Sequence, residues 1–281
     1  MKIIRNPQIM SGLSRKIKMQ YKTIGFVPTM GALHQGHLSL IRRARKDNDY
    51  VVVSIFVNPI QFGPKEDLKK YPRVLKRDMR LCQKEGVDII FYPSAQIIYP
   101  KDYKTYIKVS KLDEVLCGKF RPGHFQGVTT VVAKFFNIVN PDIAYFGQKD
   151  AQQVIIIQKM VANLNMPLKI KIMPTIREDD GLAMSSRNAY LNQKERKEAV
   201  VLYQALKLAG RLIKHGNKNS ADIIRKMQHL ILTKKSAKIQ YIAIVDTREL
   251  RPVSKIKGKI LIALAVCIGK TRLIDNITVT P

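Results

Sequence analysis

The first 175 residues alternate short apolar, β-branched runs with longer segments of helical periodicity. This alternation is typical of parallel strands joined by crossover helices. The predicted strands are 23–27, 50–57, 88–92, 142–146 and 168–173. The predicted helices are 38–46, 68–85, 126–139 and 151–163. We therefore expect an α/β domain, whose ligands bind beyond the carboxyl ends of the strands.

The pattern changes after Pro174. A polar stretch, 175–188, is predicted to be a loop. Helical stretches follow at 193–214 and 221–232, and β-rich runs at 240–245, 259–267 and 274–279. Helices followed by strands predict a small α+β domain. We place the boundary near residue 175, which gives domains 1–175 and 176–281.

Composition and length narrow the class of protein. A chain of 281 residues that is 46% hydrophobic can bury a large core, at a size where cores begin to divide into domains. Its longest apolar run, 260–268, is nine residues long. Because a membrane-spanning helix needs about 20 residues, this run predicts a buried strand. The first 19 residues lack the apolar core and cleavage site of a secretory signal.

The cysteines indicate the cellular compartment of the protein, and its net charge raises the question of its binding partners. Cys82, Cys117 and Cys267 have no metal-ligand or redox spacing, which favours a cytoplasmic protein with reduced thiols. The net charge of +29 invites a nucleic-acid interpretation. However, the basic residues are spread along the whole chain, Trp is absent and aromatic content is 7%, which offers little for base stacking. We expect no dedicated nucleic-acid partner and no membrane partner.

The segment PTMGALHQGH, residues 28–37, lies between a predicted strand and a predicted helix. Gly31 and Gly36 allow a tight turn and a close approach to a ligand. The N-terminus of the new helix offers free N–H groups and a positive dipole end to phosphate. His34 and His37 share a helix face and could donate to phosphate oxygens. Capping or packing is the alternative for either histidine. The His-x-Gly-His pattern resembles the ATP signature of nucleotidyltransferases and class I aminoacyl-tRNA synthetases.

Two more segments follow predicted strands. In FVNPIQFG, residues 56–63, Asn58 and Gln61 suit the hydroxyl and carboxylate groups of a small substrate, and Phe62 could supply an apolar wall. An ordinary Asn-Pro turn is the alternative. In FGQKDAQQ, residues 146–153, Lys149 could meet phosphate as a point charge, with Gln153 one helical turn beyond it. A surface ion pair of Lys149 with Asp150 is the alternative there.

Two loops complete the candidate site. The sequence MSSR, residues 184–187, places two hydroxyls and a guanidinium together, which suits a phosphate clamp on a mobile loop. A simple turn or helix cap is the competing interpretation. The glycine-rich basic stretch 118–127 either lines the cleft or simply connects two elements.

Taken together and in this order, PTMGALHxGH, FVNPxQFG, FRPGHFxGV, YFGxKD and MSSRN resemble the pantothenate synthetase family over residues 25–191. The resemblance implies a Rossmann-like N-terminal domain, a smaller α+β C-terminal lid domain and a homodimer. It also implies a two-step reaction with ATP as co-substrate. The pantoate carboxylate attacks the ATP α-phosphate and releases pyrophosphate, and β-alanine then displaces AMP from the pantoyl-adenylate.

The resemblance also implies residue roles. Catalytic roles fall to His37, as proton donor, His34 and Lys149. The implied ATP contacts are Met30, Gly31, Ala32, Leu33, His34, Gln35, Gly36, His37, Gly147, Gln148, Lys149, Asp150, Ile176, Met184, Ser185, Ser186 and Arg187. The implied pantoate contacts are Gln61, also near β-alanine, and Gln153, with Asn58 as a further cleft residue. Mg²⁺ is expected to accompany ATP with few protein ligands, and Asp78 is its candidate contact.

Two rival functions stay open from the sequence alone. Another nucleotidyltransferase, such as a pantetheine-phosphate or nicotinate-type adenylyltransferase, would share the histidine segment but would not need FVNPxQFG. A basic RNA- or DNA-binding module would explain the charge, and would form no AMP.

Overall fold

The computed structural model describes residues 1–64 and 66–281. Its first part contains six strands: β1 (Lys2–Ile4), β2 (Ile24–Thr29), β3 (Tyr50–Ile55), β4 (Ile89–Phe91), β5 (Ile143–Gly147) and β6 (Lys169–Met173). They form one parallel sheet in the order β1-β4-β3-β2-β5-β6. The predicted parallel α/β architecture is therefore confirmed.

Helices connect these strands. They are α1 (Pro7–Met19), α2 (Gln35–Asp47), α3 (Leu75–Lys84), α4 (Ala95–Ile98), α5 (Cys117–Phe120), α6 (His124–Val139) and α7 (Ala151–Asn163). The helix predicted at 68–85 begins later, at Leu75, because Pro72 interrupts the segment. Both β1 and α1 were missing from the prediction. In α1 the side chain of Asn6 caps the first turn, and Met10 and Ile17 are buried.

Apolar side chains cover both faces of the sheet. Every residue of β3 except Tyr50 is buried, as are all of β2 except Pro28, which suits central strands covered on both faces. One core contains Phe26 and the buried side of α6, and the opposite core contains Val27 and Ile41 of α2. The sheet is thus a rigid base whose strand ends can position a site.

The second part has its own sheet. Helices α8 (Gln193–Ala199), α9 (Val201–Lys214) and α10 (Ser220–Leu232) precede strands β7 (Ala237–Asp246), β8 (Ile260–Ile268) and β9 (Thr271–Val279). These strands are antiparallel in the order β7-β8-β9. The single helix predicted at 193–214 is two helices that meet at Val200. The small α+β part is confirmed, whereas a domain division at residue 175 stays a prediction.

Strand β8 is buried on both faces. Its even-numbered residues, such as Ile262 and Leu264, pack in the core that includes α9 and α10. The alternate residues Leu261 and Ala263 join a cluster with Phe125, Ala151 and other residues of the first part. This explains why the run is continuously apolar. None of the helices within 1–64 and 66–281 is long and apolar enough to cross a membrane.

Candidate active site

The order of strands determines where the site forms. From β2 the chain proceeds outward to β3 and then β4, whereas β5 lies on the other side of β2 and leads outward to β6. Adjacent strands β2 and β5 thus form the switch point at which ligands bind in open parallel sheets. The segment with His34 and His37 follows β2, and the segment with Lys149 follows β5. Both segments therefore begin at the same edge of the sheet.

A cleft at this edge brings most of the predicted residues together. It encloses about 210 Å³, against about 40 Å³ in each of two neighbouring cavities, so it is the space that suits a nucleotide. The predicted residues that line it are Met30, His34, Gly36, His37, Asn58, Gln61, Gly147, Lys149, Asp150, Gln153, Ile176, Met184, Ser185, Ser186 and Arg187. Segments far apart in sequence thus share one cavity.

Five predicted ATP contacts do not line this cleft. Leu33 is fully buried in the core beside α2, and Ala32 is also buried. The side chain of Gln35 accepts a hydrogen bond from Arg42, and that of Gln148 donates to Asn276. Gly31 forms the turn with φ +81°, where a side chain would also crowd Asp78. These residues shape the loops that carry the site.

Backbone hydrogen bonds fix the protonation state of both histidines. The N–H of Gly36 donates to Nδ1 of His34 at 3.1 Å, and the N–H of His34 donates to Nδ1 of His37 at 3.3 Å. Since an N–H needs an acceptor, each Nδ1 is unprotonated and a neutral ring carries its proton on Nε2. The two ring centroids lie 4.1 Å apart. The pair can therefore present two Nε2–H donors to a ligand in the cleft.

Burial keeps these imidazoles neutral at pH 7. Burial, followed by the charge of Lys149, lowers the pKa of His34 to about 4. Burial, followed by the neighbouring His34, holds the pKa of His37 well below its usual value, and Lys149 contributes in the same direction. The ammonium group of Lys149 is thus close enough to lower the pKa of both imidazole rings. A triphosphate would oppose this effect, because negative charge favours the protonated imidazole.

These shifts predict that acid destabilises the fold. His34 and His37 stay neutral in the folded chain, as does His124, whose pKa burial and Arg121 lower to about 4. Unfolded histidines take up protons below about pH 6.5, so the unfolded state gains protons first as the pH falls. The buried carboxyls of Asp78 and Asp275 have raised pKa values and act in the opposite sense.

Urea denaturation at pH 7 and at pH 5 measures this effect. We expect the free energy of unfolding to fall by on the order of 1 kcal/mol for each of the three histidines. The variant His124→Asn should show about one third less change between the two pH values than the parent chain. Equal unfolding midpoints at pH 7 and pH 5 would contradict the assignment of neutral buried histidines.

Asp78 anchors the loop before the histidines. Its Oδ2 accepts from the N–H of Ala32 at 2.8 Å and its Oδ1 from the N–H of Leu33 at 2.9 Å. Ala32 has φ +50°, which is unfavourable without glycine, so these bonds hold a strained turn. Asp78 is 1% exposed and does not line the cleft. Both of its oxygens serve the backbone, and the metal contact expected for Asp78 stays a prediction.

The second part of the chain fixes the backbone at Lys149. Nδ2 of Asn276, on β9, donates to the carbonyl of Gln148 at 3.0 Å and to that of Lys149 at 2.9 Å. The Lys149 side chain lies 3.7 Å from Asp150 and is 19% exposed, and it lines the cleft. Its segment precedes α7, whose N-terminus adds positive potential. The backbone of Lys149 is thus fixed at a position from which its side chain can contact a phosphate in the cleft.

Hydrogen bonds between side chains order the part of the cleft that contains Asn58 and Gln61. Asn58 donates through Nδ2 to Oε1 of Gln61 at 3.0 Å and to the carbonyl of Gly127 at 3.0 Å. Tyr99 donates to Oδ1 of Asn58 at 2.8 Å. The Nε2 of Gln61 lies 3.1 Å from the sulfur of Met30. Because these bonds fix its orientation, Gln61 faces the cleft with a defined donor.

The serine and arginine loop closes against residues 67–71. Arg187 donates to both carboxylate oxygens of Asp67, at 2.8 and 2.9 Å. The hydroxyls of Ser186 and Tyr71 lie 3.2 Å apart. All three contacts cross from the first part of the chain to the loop after β6. Arg187 therefore lines the cleft while its guanidinium is paired with the carboxylate of Asp67.

Several cleft residues were absent from the sequence prediction. An apolar wall comes from one face of α6 and comprises Val128, Val131, Val132 and Phe135. Phe62, the predicted wall, instead packs against Tyr71, which does line the cleft. Ser54 and Thr175 also line it, and their buried hydroxyls have no hydrogen-bond partner among the described residues. A serine inside the otherwise apolar predicted strand 50–57 is the signal that could have identified Ser54.

The fold and the cleft together define an α/β protein consistent with the HxGH nucleotidyltransferase superfamily. A family model described as pantoate-beta-alanine ligase matches residues 2–278. The chain therefore belongs to the pantoate–β-alanine ligase family. It is a ligase, and its reaction condenses pantoate with β-alanine.

Individual relatives agree with this assignment over the full length. The chain is 56% identical to the pantothenate synthetase of Caldicellulosiruptor bescii over 279 residues, 99% of both proteins. The crystal structure of pantothenate synthetase from Thermus thermophilus superposes with a TM-score of 0.94 at 41% identity and covers 100% of each chain. The pantoate-beta-alanine ligase of Francisella tularensis, complexed with beta-gamma ATP and beta-alanine, gives a TM-score of 0.80 at 37% identity over 99% and 97% of the two chains.

Proposed function

We propose that the cleft performs this condensation in two chemical steps, through a pantoyl-adenylate. A carboxylate is a poor acylating agent, and exchange for a mixed anhydride with AMP supplies a good leaving group. The pantoate carboxylate attacks the α-phosphorus of ATP and pyrophosphate leaves. The amine of β-alanine then attacks the acyl carbon, loses a proton and displaces AMP. The site has to position the reactants and neutralise charge.

One observation carries this proposal: His34, His37 and Lys149 line the same cleft as Asn58, Gln61 and Gln153. The first three are cationic or N–H donors suited to phosphate, and the others are neutral amides suited to a small hydroxy acid. An enzyme that adenylates a carboxylate needs both sets within reach of one phosphorus atom. The Francisella tularensis relative, whose complex contains beta-gamma ATP and beta-alanine, supports the same assignment.

The donors have separate roles in the proposal. The Nε2–H groups of His34 and His37 contact the phosphate oxygens as charge builds in the transition state, and Lys149 adds a full positive charge. Ser185, Ser186 and Arg187 contact the outer phosphates. Arg187 then exchanges Asp67 for phosphate. Ile176 and Met184 pack against the adenine.

Water has to be kept from the adenylate, which it would hydrolyse. The apolar face of α6 supplies Val128, Val131 and Val132 to the cleft wall. Closure of the loop that carries Ser186 against Tyr71 covers the opposite side. Both features suit a reactive mixed anhydride better than a stable dinucleotide product.

Mg²⁺ enters, in this proposal, as part of the Mg–ATP substrate. The described residues contain no group of three or more His, Cys, Asp or Glu side chains placed to hold a metal. In the proposal the ion is held mainly by phosphate oxygens and water, as is usual for Mg²⁺. Asp150 is a carboxylate at the cleft that could approach it. A homodimer and a cytoplasmic location stay predictions.

Isotope exchange isolates the first step. With ATP, Mg²⁺ and pantoate but no β-alanine, the purified chain should incorporate labelled pyrophosphate into ATP. Addition of β-alanine should then release AMP and pantothenate in equal amounts. Exchange that does not require pantoate would contradict adenylation of this acid. AMP formation with pantetheine phosphate or a nicotinate nucleotide instead would favour the rival adenylyltransferases.

A further inference from the structure

A chain of hydrogen bonds runs from Glu66 to the backbone of Gln61. Arg121 donates through Nε to Oε1 of Glu66 at 2.7 Å, and its NH2 pairs with Oε2 of the same carboxylate. Its NH1 lies 2.9 Å from Nε2 of His124. The Nδ1 of His124 lies 2.8 Å from the carbonyl oxygen of Gln61. Each link is within hydrogen-bond distance, and His124 is 9% exposed.

The partners of His124 determine its tautomer. A guanidinium can only donate, so Nε2 of His124 has to accept from Arg121. Nδ1 therefore carries the ring proton and donates it to the carbonyl of Gln61. Burial, and after it the charge of Arg121, lowers the pKa of His124 to about 4, so the ring is neutral at pH 7. Glu66 in turn holds Arg121 in place through a two-point ion pair.

Helix α6, which begins at His124, also packs closely against the backbone of residues 60–61. A Cβ added to Gly127 would lie 2.5 Å from the carbonyl oxygen of Ile60 and 2.7 Å from Cα of Gln61. The first turn of α6 thus contacts the backbone of residues 60–61 from one side, while His124 bonds to it. A shift of Gln61 along the cleft would lengthen this bond, and also the longer one, at 3.5 Å, that NH2 of Arg121 donates to the same carbonyl.

We propose that His124 is a positioning residue, which holds Gln61 in register with the substrate and is itself held in one tautomer by Arg121 and Glu66. This inference rests on the proposed role of Gln61 as a pantoate contact. Misplacement of a substrate contact by about 1 Å can cost up to a hundredfold in rate. Loss of the bond from His124, which helps to place Gln61, should therefore have a measurable effect on the reaction. It also gives a role to the basic loop 118–127, whose sequence left open whether it lines the cleft or connects two elements.

Three substitutions of His124 separate positioning from simple packing. In His124→Asn the side-chain amide can occupy the place of Nδ1–H and keep the donor to Gln61. In His124→Gln the amide reaches the place of Nε2, and in His124→Ala both are lost. We expect His124→Ala and His124→Gln to raise the KM for pantoate in the exchange assay by about tenfold, with the KM for ATP changed less than about twofold. His124→Asn should recover most of the loss.

Equal KM values for pantoate in His124→Asn and His124→Ala would overturn the proposal, because rescue would then not depend on the donor. A parallel rise in the KM for ATP, with a lower melting temperature, would show a structural role and overturn it as well. The exposed His229 in α10 supplies the matched control. His229→Ala should leave both KM values unchanged.

The variant Gln61→Ala distinguishes failure of this inference from failure of the proposed function. If Gln61 contacts pantoate, Gln61→Ala raises the KM for pantoate, and His124→Ala adds little in the double variant. Additive effects of the two substitutions would overturn positioning through Gln61 and leave adenylation intact. No effect of Gln61→Ala would remove the pantoate role of Gln61, whatever His124 does.

Discussion

Replacement of His37 by alanine is expected to lower the rate of pantoate-dependent pyrophosphate exchange by about a hundredfold or more. Removal of one donor aimed at transition-state charge usually costs this much. The physical reason is the fixed tautomer: Nδ1 of His37 accepts from the N–H of His34, so the neutral ring offers its proton from Nε2. The KM for pantoate should change little, because the lost contact is to phosphate.

A pair of conservative variants tests this explanation of His37. His37→Gln places an amide N–H near the position of Nε2, whereas His37→Asn places it near that of Nδ1. We expect His37→Gln to retain more of the exchange rate than His37→Asn. Near-normal exchange in His37→Ala would reduce the residue to a packing role, and better activity in the Asn variant would contradict the tautomer.

Replacement of Lys149 by alanine is expected to lower the exchange rate by a similar factor, about a hundredfold. Lys149 supplies a full charge to a partly closed cleft and is 19% exposed, so solvent screens it weakly. A second readout is independent of turnover. Because Lys149 lowers the pKa of His34, its removal should raise that pKa, which a proton NMR titration of the imidazole would detect.

Lys159, on the helix α7 that follows Lys149, is the matched control for Lys149. It pairs with Glu249 away from the cleft. Lys159→Ala should leave exchange unchanged, because an exposed ion pair is worth little. Lys149→Arg should recover only part of the loss, since a planar guanidinium does not replace a point charge. Equal rates in Lys149→Ala and the parent chain would show that the charge has no part in adenylation.

The parallel sheet and the main site segments could be predicted from the sequence for one reason. Central strands such as β3 are continuously apolar, and the residues that follow them are at the strand ends where ligands bind. The segments with His37 and Lys149 were therefore found from their place in the pattern. By contrast, β1 has three residues, one of them charged, and pairs only with β4, so it leaves little signal.

Other features depended on packing that a sequence does not record. The pattern of α6 predicts a buried helix, but not that Val131 and Phe135, which pack in the core, also line the cleft. A carboxylate such as Asp78 fits a metal or a backbone turn equally well until its partners are known. His124 has the same ambiguity, because its role depends on a carbonyl 63 residues away.

The double burial of β8 couples the small sheet to the large one. Rotation of the small sheet away from the large one would bring Leu261 into water, at about 1.5–3 kcal/mol for that side chain alone. It would also separate Asn276 from the backbone of Lys149 and so disorganise the phosphate side of the cleft. Separation of the two sheets would therefore cost free energy and, at the same time, release the backbone segment that carries the lysine of the site.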